Sequence, residues 1–410
     1  MLQTLPLLFV LAGLVLYTVL AGADFGAGFW ELFAGRGPDA ERIREHAHHS
    51  MAPVWEANHV WLIFVLTVFW TSYPTAFGSI ASTLAVPLLI AALGIVFRGA
   101  AYALRAGAST ARESALIDRV FSVSSIVTPF ALGAAIGAIA TDRVPVGNAA
   151  GHLISSWTGA TSIFIGVLAV ANSAYLAAVY LAADAARSGH AALEREFRHR
   201  ALGAGVLAGL VAVAGIFVVN ADRHGLFHSL LSGRALGAVI LSALAGVATL
   251  AFVYGRRFEP ARYSAAAAVA AIVAGWAISR WPTILPGLTI RQAAAGHDTL
   301  VWVIVVVLAG GAIVVPSLGL LFRLTLRGRL RAVEAVEGRS RRTAAAGVRR
   351  PDSPLLGRVS VACLIAGAGL LNLADADWAH AVGVACLVGF VVTAFRVIVP
   401  DALGDQPAGR

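Results

Sequence analysis

The chain has 410 residues, of which 59% are hydrophobic and 13% charged, against roughly 45–50% and 25% in soluble globular domains. With a mean hydropathy of +0.80, these figures exclude a soluble enzyme, a disordered chain and a secreted disulfide scaffold, and leave a polytopic membrane protein. A formal net charge of +9 would point to nucleic acid in a soluble protein; here every basic residue is arginine and most stand in short loops between apolar runs, so no nucleic-acid partner is expected.

A spanning helix needs about 20 mostly apolar residues to cross about 30 Å of hydrocarbon. Lipid offers backbone groups no partner, so helices are expected, and strict two-residue alternation, the mark of a barrel, is absent. Apolar runs at 5–23, 54–71, 80–97, 120–139, 157–182, 201–219, 235–254, 265–278 and 300–321 predict a nine-helix body, residues 1–325. The run 265–278 is the weakest, being short and Ala-rich. Ala21-Gly22-Ala23 resembles a signal-cleavage site, but Met1–Leu5 carries no basic residue, so the first run is expected to be retained as a helix. Residues 326–355 are rich in Arg, Ala and Gly and read as a cytoplasmic linker, with 330–336 a short amphipathic helix on the anionic leaflet. Runs at 359–374 and 379–400 predict a two-helix C-terminal transmembrane hairpin, 356–400, before a tail, 401–410. The cysteines, Cys363 and Cys386, lie in those runs, and no CxxC, zinc spacing or CxxCH is present.

Arginine placement orients the chain. Arg143, Arg223, Arg234, Arg280 and Arg291 fall on one side, and the remaining 26 of the 31 basic residues fall on the other. This predicts an N-terminus outside and a cytoplasmic C-terminus, with an odd number of spans. Eleven satisfies that, and losing 265–278 would break the alternation.

Ionisable groups inside apolar runs mark candidate chemistry, because each costs about 2.5–3.5 kcal/mol at a helix centre on insertion scales. Asp24 continues the first run, with Gly28 and Glu31 on its face at i+4 and i+7. It suits either a polar site or a helix end at the interface. In the segment 53–63, Pro53 suits a first helical turn, and Glu56 there complements the helix dipole. His59 shares its face at i+3, while Trp55 and Trp61 suit interface anchors. Glu56, Asn58 and His59 within one turn also suit a hydrogen-bonded polar site facing protein. Arg98 reads either as a snorkelling residue or as a partner for Asp24 or Glu56. His46, His48 and His49 on a loop are a weak metal pattern without a completing carboxylate or Cys, so no metal site is expected.

Several segments together resemble a known family. GADFGAGFWEL (22–32), PVWEANHVWLI (53–63), YPTAFG (73–78) and GIVFRG (94–99) are similar to the N-terminal half of subunit II of cytochrome bd-type quinol oxidases, including cyanide-insensitive variants. WPTILP (281–286), LTI (288–290), AAA (293–295) and Thr299-Leu300 resemble its late outer loop. The family often has Asp where Glu56 stands and Gln where His59 stands. The resemblance implies two four-helix bundles plus a peripheral helix, a homologous haem-bearing subunit I as partner, and haem b with haem d, or a second haem b, held by that partner rather than by this chain. It implies a respiratory complex in the bacterial cell (inner) membrane that oxidises quinol and reduces O₂ to water. Membrane lipids would surround it, and a structural quinone and a small accessory subunit remain open. Within it, Glu56 is expected on the proton path with Asp24 in support, Arg98 and Asn58 holding the network, Trp55 and His59 as supporting residues, and Trp61 lining an O₂ route. Proton-coupled secondary transport, or a purely structural scaffold, are the alternatives for a chain with acids in broken apolar runs.

Overall fold

The computed structural model describes residues 2–35, 37–105, 110–233, 235–326, 354–373 and 377–398. The chain is an all-α polytopic membrane protein. Eight helices are long and apolar enough to span a membrane: α1 (Leu5–Leu32), α4 (Ala85–Arg105), α5 (Ala111–Ala140), α6 (Ala160–Arg187), α7 (Ala191–Asp222), α9 (Leu236–Tyr254), α10 (Phe258–Arg280) and α12 (His297–Leu326). The other three expected spans are also helical. They fall in α2 (Pro38–Ser72), α13 (Pro354–Leu373) and α14 (Asp377–Ile398), whose apolar stretches are shorter. The weak run 265–278 is the core of α10. Two short helices, α3 (Pro74–Thr83) and α8 (His224–Leu231), lie between spans.

Local chemistry sets several boundaries. Pro74 lacks an N–H and has a fixed φ, so it cannot continue α2 and suits the first position of α3. The expected run 80–97 is broken at Leu84, where α3 gives way to α4. Pro87 cannot donate to the Thr83 carbonyl four residues back, so one continuous helix would lack that bond. Thr110 and Glu113 form a reciprocal capping box that starts α5. The region of His46, His48 and His49, read as a loop, is helical instead. α2 extends back to Pro38 because Ala40, Ile43 and Ala47 form a buried stripe. The linker helix expected at 330–336 lies outside the described residues.

The chain divides into two compact units, Met1–Gly311 and Ala312–Arg410. In the first, α1, α2, α4 and α5 form one four-helix group and α6, α7, α9 and α10 another, with α1 and α5 packed on α6 as the seam. α12 starts in this unit, and only 6% of its apolar span is buried. In the second unit α13 and α14 pack as a hairpin, with Gly367 against Leu387.

The seam is built from small residues. Lipid supplies no hydrophobic drive between helices, so close backbone approach and dispersion hold them. α1 buries a continuous stretch from Ala21 to Gly28, and α6 buries Ser173 to Val179. A side chain at Gly26 would run into the Ser173 carbonyl, and one at Gly137 would meet the Ser162 backbone at 2.5 Å.

Ionic contacts join the two groups at one end. Arg143 bonds Asp222 at 2.9 Å, Asp142 pairs with Arg280 and, at 3.8 Å, with Arg223, and Arg223 donates to the Thr141 carbonyl at 2.7 Å. Beside them a short antiparallel ribbon, β1 (Thr283–Leu285) and β2 (Leu288–Thr289), turns at Gly287 (φ +73°) and leads into α11 (Ile290–Ala293). Leu285, Leu288 and Ile290 pack with Tyr73, Leu84 and Val144, and the Ala295 N–H bonds the Ser72 carbonyl at 2.8 Å. The ribbon carries no apolar run long enough to signal itself in the sequence.

Gly26→Ala is expected to cost about 1–3 kcal/mol through overpacking against backbone that cannot yield. Gly209→Ala, facing open space on α7, is expected to be neutral or slightly stabilising through helix propensity. Thermal midpoints of the two variants in detergent check the contrast.

Candidate functional site

The most deeply buried charged pair in the described body joins α1 to α4. An Arg98 Nη lies 2.7 Å from Asp24 Oδ1, the other Nη donates to Oδ2 at 3.3 Å, and the guanidinium also donates to the Asp24 main-chain carbonyl at 3.0 Å. Asp24 is 3% exposed and Arg98 2%. Arg98 Nε donates to the Ser125 hydroxyl of α5 at 3.3 Å, and the Ser125 hydroxyl donates to the Phe121 carbonyl at 2.6 Å. The planar cation stands 4.3 Å from the Phe121 ring centre and 5.2 Å from that of Phe25. This fork-to-carboxylate geometry with aromatic faces suits arginine and not lysine.

Small residues permit the approach. Gly28, one turn beyond Asp24, leaves the space that the Ser125 side chain fills, and Gly94, one turn before Arg98, lies against Thr128. Asn58 of α2 stands within hydrogen-bonding reach of the Asp24 carboxylate and is 2% exposed. His59, half-buried, lies within electrostatic range of the same carboxylate. Trp61 packs with Phe25, Tyr17 and Ala21 and meets Phe64 edge to face at 6.1 Å. Thus Asp24, Arg98, Asn58, His59 and Trp61 converge on one region of the first helix group. Trp55 and Glu56 lie on the α2 backbone, one turn from this cluster, but their side chains lie outside the described residues.

A second polar layer contains Glu31, which the sequence placed on the face of Asp24, and two residues that it did not single out. Glu31, 2% exposed, lies 3.5 Å from Arg105, which also lies 3.5 Å from Asp118 of α5. Glu31 follows Asp24 by seven residues, Arg105 follows Arg98 by seven, and Asp118 precedes Ser125 by seven. Each offset is two helical turns. That shared spacing was the available signal, but it pairs residues only once α4 and α5 are known to be neighbours.

Among the described residues no group of three His, Cys, Asp or Glu side chains is placed to hold a metal ion. His46 Nε2 lies 3.1 Å from the Leu181 carbonyl, so it ties α2 to α6.

An all-α membrane protein whose body is two four-helix groups, the first built around a buried Asp–Arg pair, is the class that fold and site define. The chain belongs to the cytochrome bd terminal oxidase subunit II family, whose model matches residues 2–325. It is 28% identical over 114 residues to the cytochrome bd ubiquinol oxidase subunit 2 of Bacillus subtilis (strain 168), covering 28% of this chain and 33% of that one. It is 28% identical over 130 residues to the cytochrome bd-I ubiquinol oxidase subunit 2 of Escherichia coli (strain K12), covering 31% and 34%. The alignments thus span about a third of the length of these relatives. The fold is similar to the structure of bd oxidase from Geobacillus thermodenitrificans, with TM-score 0.63, 25% identity and coverage of 79% of this chain and 98% of that one.

Removing one partner of the buried pair leaves the other charge uncompensated, so Asp24→Ala and Arg98→Ala are each expected to cost about 3–5 kcal/mol. Replacing both, as Asp24→Asn with Arg98→Met, is expected to recover part of that loss. Thermal midpoints of the detergent-solubilised protein, measured for the three variants, check the non-additivity.

Proposed function

We propose that this chain is the second subunit of a bd-type quinol:O₂ oxidoreductase in the respiratory chain of a bacterial cell membrane. It stabilises a homologous haem-bearing subunit I and contributes proton access to it. The observation that carries the reading is convergence: the segments 22–32, 53–63 and 94–99, distant in sequence, supply Asp24, Asn58 with His59, and Arg98 to one buried cluster. Arginine asymmetry supports an N-terminus outside and a C-terminus in the cytoplasm.

Haem b and haem d, or a second haem b, belong to the partner in this reading and supply electron transfer and O₂ reduction. The chain's own residues do simpler work. Adding an electron inside a low-dielectric bundle is easier when a proton arrives with it, because the net charge then stays constant. Glu56 is the proton-carrying carboxylate, taking a proton at one oxygen and passing it inward. Arg98 fixes the Asp24 carboxylate and anchors α1 to α4, and Asn58 offers a donor and an acceptor to a passing water. Trp61, packed beside Phe25, lines the apolar route proposed for O₂.

The complex purified through a tag on this chain is expected to show haem bands in its reduced-minus-oxidised spectrum. Glu56→Gln is expected to keep those bands while quinol:O₂ turnover falls by about tenfold or more. Unchanged turnover with intact haem removes the proton role, and loss of haem assigns Glu56 to assembly. An intact haem-free preparation would favour a transporter instead.

A further inference from the structure

We propose that the second helix group carries a binding site for one anionic phospholipid, with the phosphodiester on Arg256 and Arg257 and the acyl chains along the exposed face of α9. The site stands at the end of the group that the arginine asymmetry places in the cytoplasm, and it holds whether or not the chain is an oxidase subunit. Two turns meet there. Residues 184–200, between α6 and α7, and 254–263, between α9 and α10, hold seven arginines and four carboxylates, an excess of three positive charges. Arg256 Nη1 stands 3.7 Å from Glu194, and Arg187 stands 3.5 Å from Glu259, so the turns are tied to one another. Glu259 also meets Arg262 at 3.3 Å, and Glu196 meets Arg200 at 3.0 Å. Those pairs engage the three glutamates. Among the described residues, Arg195 and Arg257 are exposed cations with no carboxylate partner.

The end of α9 keeps a cation where glycine fits more easily. The Arg257 N–H bonds the Phe252 carbonyl at 2.8 Å, and the Arg256 N–H bonds the Val253 carbonyl at 3.2 Å. This is the pairing of a helix end whose left-handed position glycine ordinarily takes. Gly189 takes it at the end of α6, at φ +72°, but at the end of α9 Arg256 takes it, at φ +56°, although Gly255 is next to it. Arginine in that conformation costs backbone energy that glycine does not. Arg198 donates to the Val253 carbonyl at 3.1 Å and to the Tyr254 carbonyl at 2.7 Å. It thereby offsets the negative end of the α9 dipole, which would repel an anion. Tyr254 and Tyr263, 73% and 75% exposed, mark the depth of the headgroups. On the Tyr254 face of α9, Val247 and Leu244 are 67% and 63% exposed and continue an apolar track toward mid-bilayer. Paired cations, a phenol and then an apolar face match an anionic amphiphile in charge and in order.

The test strips lipid from the tagged protein in nonionic detergent and counts bound phosphatidylglycerol by native mass spectrometry as that lipid is titrated. Wild type is expected to bind it about tenfold more tightly than phosphatidylcholine. Arg257→Gln is expected to weaken binding by about fivefold, and Arg256→Gly with Arg257→Gln by about thirtyfold. Glycine suits the left-handed position, so the double variant is expected to fold. Glu194→Gln keeps the Arg256 cation and removes its competitor, so it is expected to bind at least as tightly as wild type. Arg112→Gln with Arg119→Gln, an equal loss of exposed charge on α5 at the same membrane side, is expected to leave binding unchanged. Equal weakening by that control overturns the site in favour of general surface charge. Phosphatidylcholine bound as tightly as phosphatidylglycerol overturns it, and so does inorganic phosphate that displaces the lipid at equal concentration. Weakened binding in Glu194→Gln assigns Arg256 to its ion pair alone and overturns the proposal. If the double variant fails to fold, Arg257→Gln decides, because it breaks no ion pair among the described residues: unchanged binding there overturns the site.

Discussion

The bond between Asp24 and Arg98 is the constraint around which the first helix group is arranged. Two charges removed from water lose several kcal/mol of hydration each, and their attraction offsets this only when geometry is good and further hydrogen bonds satisfy them. Arg98 meets both conditions, with two bonds to the carboxylate, one to the Asp24 main chain, one to Ser125, and the rings of Phe25 and Phe121 close to the cation. Those requirements fix the rotation of α1, α4 and α5 about their axes. They also explain the small residues nearby, since Gly28 and Gly94 remove side chains that would hold α5 away.

The same rotation carries the outer polar layer. Once α1 and α4 are locked at Asp24 and Arg98, residues two turns on must also meet, and Glu31 and Arg105 do. α5 runs opposite, so its matching residue lies two turns back, at Asp118. A ladder of polar groups through an apolar bundle therefore follows from one buried pair and helical periodicity. The opposite end follows a different logic. Arg143, Arg223 and Arg280 lie on the arginine-poor side, and all three are held by Asp142 or Asp222. Their charges are used between helices of the two groups, which accounts for arginines where the general bias disfavours them.

The helices were readable because the signal for a span is local. A stretch of apolar residues long enough to cross lipid has few alternatives to helix, and the described part of every run is mainly helical, with the run 80–97 divided between α3 and α4. Non-local features were harder to read. The backward extension of α2 to Pro38 depends on Ile43 and Ala47 finding a buried cluster shared with α6 and α7. The ribbon 283–289 is stabilised by Tyr73 and Leu84, more than two hundred residues earlier. The break at Leu84 had a local cause in Pro87, but continuous hydrophobicity from Ile80 onward concealed it.

The sequence by itself determined a membrane protein of many helices, the positions of those helices, and the residues that resemble the subunit II family, because hydrophobic length and motif order are properties of the chain in one dimension. It also marked Asp24, Asn58, His59 and Arg98 as costly in lipid. Only the tertiary structure decided that Arg98 pairs with Asp24 rather than serving as a snorkelling cation, that Asn58 stands buried beside that pair, and that Glu31 shares Arg105 with Asp118. The physical reason is that a charge is neutralised by whichever group helix rotation and register bring within a few ångströms, and packing across the whole bundle sets both.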